Sequence, residues 1–187
     1  NTMKRELAPR LDYTQLFKIA NLVVSFGIIL VTSGGSWDIT NHILNKPETF
    51  FAPPHAMLYS GVGLALIGFV ALYLSWKKSG KNPQFSRGIK ITTIGIGALL
   101  SAGPIDFAWH SAFGLDGLLS PPHLVLIAGM GLTSIGALVN AKVFLKESEK
   151  PSRFIIVVSM IPVWFSVTGL FYSFSLPFSK TDYFDFN

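Results

Sequence analysis

Five stretches of this chain, about residues 16–36, 54–76, 89–109, 122–145 and 154–176, are apolar runs of roughly twenty residues each. A helix needs about that length to cross some 30 Å of hydrocarbon. In lipid every backbone polar group must be bonded inside its own segment, so such runs form helices rather than open strands. The chain is therefore expected to be an all-α polytopic membrane bundle of about five spans, one membrane domain over residues 1–187 in contact with the lipid bilayer. Charge agrees with that expectation: Asp, Glu, Lys and Arg make up 13% of the chain and collect in short stretches between the runs. The segment 77–90, which opens with Lys77, Lys78 and Lys81, reads as a basic turn and Lys146 to Arg153 as a second charged connector, neither of them a domain linker. Asn1 to Glu6 contain no short apolar segment followed by a cleavage site, so the first span is expected to direct insertion.

The basic residues are unevenly shared between the two sides. Lys4, Arg5, Arg10, Lys18, Lys77, Lys78, Lys81, Arg87, Lys90, Lys142, Lys146, Lys150 and Arg153 fall on one side, and only Lys46 and Lys180 on the other. Cytoplasmic loops hold the positive excess. This predicts a cytoplasmic N-terminus in a cell membrane, with the segments 37–53 and 110–121 facing outward. The net charge of +5 is thus membrane topology, and no nucleic-acid partner is expected, because the basic residues flank apolar helices.

Aligned with itself at an offset of 68 residues, the chain matches Asp38, His42, Pro53, Pro54 and His55 to Asp106, His110, Pro121, Pro122 and His123. Gly27, Ser33, Gly35, Leu58, Gly61, Gly63, Leu64 and Gly68 recur as Gly95, Ser101, Gly103, Leu126, Gly129, Gly131, Leu132 and Gly136. The pattern reads as a tandem repeat, about 19–77 and 87–145, followed by an extra span at about 154–176. Each unit holds two spans, so the copies are expected to be parallel, with both Asp-x3-His-x12-His sets on the outer side.

If the first span of each unit stays helical through the set, Asp38 and His42, or Asp106 and His110, share a face at i, i+4. Ala52 or Ser120 then caps the next helix, two prolines occupy its first turn, and His55 or His123 folds back onto the pair. The sets use all four histidines of the chain. One such set reads equally well as interfacial polar groups beside the belt residues Trp37 and Trp109; two sets of identical spacing point to metal binding. With no cysteine, thiolate sites and iron–sulfur clusters are excluded. Two imidazoles and a carboxylate suit copper, zinc, iron or nickel and leave at least one position open. The spacing does not choose among these ions, nor between one dinuclear centre and two neighbouring sites.

The glycines at 27, 34, 35, 61, 63, 68, 95, 97, 103, 129, 131 and 136 are expected to let helices pack closely. Met57 and Met130 read as packing residues, since neither recurs in the other copy. The aromatic tail Phe171 to Phe186 reads as an interface anchor or subunit contact.

The doubled Asp-x3-His-x12-His set, with proline just before its last histidine, resembles the metal-binding motif in the C subunit of the copper membrane monooxygenases, the particulate methane and ammonia monooxygenases. The resemblance covers roughly residues 20–145. It implies two copper sites, one of Asp38, His42 and His55, the other of Asp106, His110 and His123. It also implies an oxidoreductase complex in which this subunit joins other membrane subunits, with dioxygen and a small substrate such as ammonia or a hydrocarbon. Other functions fit the residues. A metal-delivery protein would load ions for a neighbour, and a membrane zinc hydrolase would activate water with similar ligands. A bis-histidine haem through His42 and His110 leaves the aspartates unexplained.

Overall fold

The computed structural model describes residues 13–44, 51–113, 119–147 and 153–175. The side chains of His42, His110 and a few other helical residues lie outside that description. Five helices follow in order: α1 (Tyr13–Ile43), α2 (Pro53–Lys78), α3 (Pro83–Phe113), α4 (Pro121–Glu147) and α5 (Arg153–Ser175). All five are long and apolar enough to cross a membrane, and there is no strand among the described residues. The protein is an all-α membrane bundle.

α1 and α3 run past the ends expected from hydropathy, through 43 and 113 rather than 36 and 109. The described side chains of the extra turns are exposed or half-buried. In α1, Gly34 faces the backbone of α2, where an added Cβ would meet the Leu58 nitrogen at 2.7 Å. Thr40 Oγ1 donates back to the Ser36 carbonyl at 2.9 Å. The helix therefore carries Asp38 and the backbone of His42 within it.

The helix starts at 53 and 121 follow from chemistry that the two share. Paired prolines fill the first turn, where an amide hydrogen has no helical acceptor. The carbonyls of Ala52 and Ser120 accept from Ala56 and Leu124 at 2.9 and 3.0 Å. Ala52 is the N-cap of α2 and makes no side-chain hydrogen bond there, and the Ser120 hydroxyl has no hydrogen-bond partner. Between α2 and α3 the chain reverses through Gly80 at φ 87 and Lys81 at φ 58. There the Lys81 amide donates to the Trp76 carbonyl at 3.0 Å, the left-handed stop that glycine permits after a helix. Trp76 Nε1 closes the turn on the Asn82 carbonyl at 2.9 Å.

α1 packs mainly on α2, and α3 on α4, as two antiparallel hairpins. Their seams are built from glycine. In the first, Gly34 faces Leu58, Gly61 faces Val31, Gly27 faces Ala65 and Gly68 faces Val24. In the second, Gly129 faces Leu99, Gly95 faces Thr133, Gly136 faces Thr92 and Gly88 faces Asn140. Three of these contacts recur at the 68-residue offset, position for position. The packing role expected of the glycines holds at these positions but not at 35, 63, 97, 103 and 131, where an added Cβ would have nothing within 4 Å. Those five look away from the seam.

Two buried clusters join the hairpins. Phe17, Ala20, Leu72, Ile89, Ala141, Phe144 and Ile155 meet at one end, where the Phe17 and Phe85 rings lie 4.3 Å apart and bring the starts of α1 and α3 together. Nearer the other end, Ile28, Val31, Ala65, Ile96, Leu99 and Met130 form the second cluster, so Met130 is a packing residue. α5 docks on α1 and α4 through polar contacts. Asn21 Nδ2 donates to the Ala137 carbonyl at 3.0 Å and lies 3.4 Å from Ser159 Oγ. Ser134 and Ser166 approach to 3.5 Å. Lipid tails are as apolar as leucine, so close backbones and polar contacts hold such a bundle together, while large side chains such as Ile67, Trp164 and Phe171 face outward. Beyond Tyr172 the aromatic tail lies outside the described side chains.

Candidate metal centre

The hairpin seams decide which residues meet at the ligand end. Each step of three or four residues up α1 is matched by the same step down α2. Beyond Gly34 and Leu58 the next rung brings Asp38 opposite the first turn of α2. There His55 Nε2 lies 2.9 Å from Asp38 Oδ1. In the second hairpin the same continuation sets His123 Nε2 3.4 Å from Asp106 Oδ1. Because α1 and α3 start together and run the same way, both pairs sit at one end of the bundle.

These separations are informative as donor distances. Two ligand atoms about 2.0–2.1 Å from one ion stand about 2.9 Å apart at a right angle and about 3.4 Å apart at the tetrahedral angle. The paired Asp and His atoms are thus as far apart as neighbouring donors around one ion, and within the distance of an ion pair. Among the described residues no group of three His, Asp or Glu side chains gathers. The third expected members, His42 and His110, are placed by their backbones in α1 and α3, one turn beyond each aspartate. Their side chains lie outside the described residues.

The two pairs are not equivalent. The Asp38 and His55 side chains are 20% and 23% exposed, whereas Asp106 and His123 are 36% and 27% exposed. The second pair is longer and more open. Met57, two residues beyond His55, is half-buried.

Tyr59 was not singled out by its sequence context. It stands one turn beyond His55 on α2, with ring centroids 6.2 Å apart. The i, i+4 step from a candidate ligand was the available signal. Its partner at the 68-residue offset is Ile127, so an offset comparison passes over it.

A crevice of about 340 Å³ lined by Thr32, Ser33, Ser36 and Phe165 opens between α1 and α5. At about 100° per residue, Ser33 and Ser36 stand on the face of α1 turned away from Asp38. It is separate from the ligand pairs. No family model, curated protein or solved structure matches this chain.

Proposed function

We propose that this protein is a metal-binding, copper-loaded subunit of a membrane monooxygenase complex that oxidises a small substrate such as ammonia or a hydrocarbon with dioxygen. The observation that carries the reading is the doubled Asp–His pair, 2.9 Å in one hairpin and 3.4 Å in the other, with a histidine backbone one helical turn beyond each aspartate. Asp38, His42 and His55 would hold one ion, and Asp106, His110 and His123 the other. Nitrogen and oxygen donors with no thiolate suit Cu(II), zinc or non-haem iron; the motif resemblance favours copper. Copper supplies one-electron redox and dioxygen chemistry.

The chain's own residues have definable tasks in this reading. Each aspartate brings one negative charge to the ion. Each proline pair fixes the start of the helix that presents His55 or His123, and the glycine seam sets the distance between ligand-bearing helices. The charge asymmetry puts the N-terminus in the cytoplasm and both sites towards the outer face. Five helices with wide apolar outer surfaces leave little protein to exclude water from a reactive centre, which motivates other membrane subunits as partners.

The test is elemental analysis after gentle detergent extraction, with native mass spectrometry of the same sample. Two copper equivalents are expected, in company with other membrane subunits. His55→Ala and His123→Ala should each remove about one equivalent, because a missing donor leaves its ion under-coordinated, while Asn45→Ala should remove none. A lone chain carrying zinc supports the hydrolase or metal-delivery alternative. Unchanged metal content in both histidine variants makes the Asp–His contacts structural ion pairs.

A further inference from the structure

We infer that the second ligand set, Asp106, His110 and His123, is the half that binds an exogenous small anion, and that Trp109 and Ser120 are its hydrogen-bond donors. The inference rests on the reading that both sets hold a metal ion. What singles out the second half is a pair of buried polar groups: neither Trp109 Nε1 nor the Ser120 hydroxyl has a hydrogen-bond partner. Ser120 is 4% exposed. An indole N–H is a donor only, and a hydroxyl carries one donor. Keeping such groups out of water without a partner is costly, more so in a membrane. Both lack an acceptor, and an anion supplies one.

Their positions tie them to the ligand pair. Trp109 stands three residues after Asp106 on α3, its ring held against Phe113 with centroids 4.5 Å apart. Ser120 stands three residues before His123, next to the proline pair that opens α4. The 3.4 Å approach of His123 to Asp106 draws together the two segments that carry these donors. At the matching positions the first half has Asn41 and Ala52, and Ala52 has no donor to offer. The first pair is also the shorter and the less exposed. A divalent ion with one aspartate leaves one net positive charge, which calls for a monoanion of the size of hydroxide, formate or azide.

Azide is a suitable probe, because its infrared stretch reports binding to whichever divalent ion the protein holds. Full-length protein in nanodiscs, loaded with copper, is titrated with azide while metal content is measured in parallel. One azide per chain is expected, retained in His55→Ala and lost in His123→Ala. Trp109→Phe and Ser120→Ala should each weaken azide about tenfold, the scale of one hydrogen bond to a charged acceptor, with copper content unchanged. If Trp109→Phe loses copper, Ser120→Ala alone decides. Azide binding that follows His55, or that is unmoved in Ser120→Ala with copper in place, overturns the inference. Copper content indifferent to both histidines instead overturns the metal reading beneath it.

Discussion

Replacing Gly27 by alanine tests the geometry that brings Asp38 and His55 together. The new Cβ would meet the backbone nitrogen of Ala65 at 2.5 Å and its Cα at 2.8 Å. Carbon atoms rest about 3.5–4.0 Å apart, so α1 and α2 must part by about an ångström. Overpacking of this kind costs about 1–3 kcal/mol. Because the obstructing atoms are backbone, the upper half of that range applies. Alanine is the better helix former by about 1 kcal/mol, which leaves a net loss of about 1–2 kcal/mol. Gly35 is the control: it lies in the same helix with nothing within 4 Å of an added Cβ. Gly35→Ala should keep the propensity gain, so the two variants should differ by about 2–3 kcal/mol. Reversible unfolding in mixed micelles with increasing SDS, followed by circular dichroism, gives the comparison. Bound metal should fall in Gly27→Ala as the Asp38–His55 pair opens, and stay constant in Gly35→Ala. Equal midpoints and equal metal content in the two variants would refute the seam as the device that sets the spacing of that pair.

The chain has no cysteine, so single introduced thiols give a clean topology test. Phe51→Cys should react with an impermeant reagent from outside, and Ser79→Cys only after the membrane is opened; the reverse pattern would invert the orientation. Tyr59→Phe should alter the paramagnetic spectrum of the site that His55 serves without loss of metal, since the two rings lie 6.2 Å apart. A spectrum unmoved by the substitution would count against a metal ion at His55.

Hydropathy was enough to locate all five helices, because a membrane span must satisfy its backbone internally over a fixed length. It failed at the outer ends of α1 and α3. Ser33, Gly34, Gly35 and Ser36 look like the close of an apolar run, yet Gly34 packs against the Leu58 backbone and the helix continues to Ile43. The return of His55 to Asp38 was legible from spacing, because paired prolines and a short connector restrict where α2 can begin. Other features depend on three-dimensional register. Gly34 and Gly35 are neighbours in sequence, but only Gly34 faces α2, and composition does not tell them apart. Tyr59 is a related case: its match at the offset is Ile127, and its place near the His55 ring comes from the helical register of α2.

The relation between seam and site has a consequence for how such a centre tolerates change. Asp38 and His55 lie on different helices, and no backbone hydrogen bond of either helix fixes the distance between them. That distance is inherited from the glycine contacts below, at Gly34, Gly61, Gly27 and Gly68. The same dependence links Asp106 and His123 to Gly129, Gly95 and Gly136. A small shift in helix separation reaches the donor atoms almost undiminished, because packed helices move as rigid bodies rather than bending locally. The Asp–His spacing and the helix packing are therefore one property in each hairpin. The two hairpins nonetheless differ where the seam ends, since Asn41 and Ala52 in one are Trp109 and Ser120 in the other. A shared spacing with unlike surroundings leaves the Asp38–His55 pair shorter and less exposed, and the Asp106–His123 pair longer and more open.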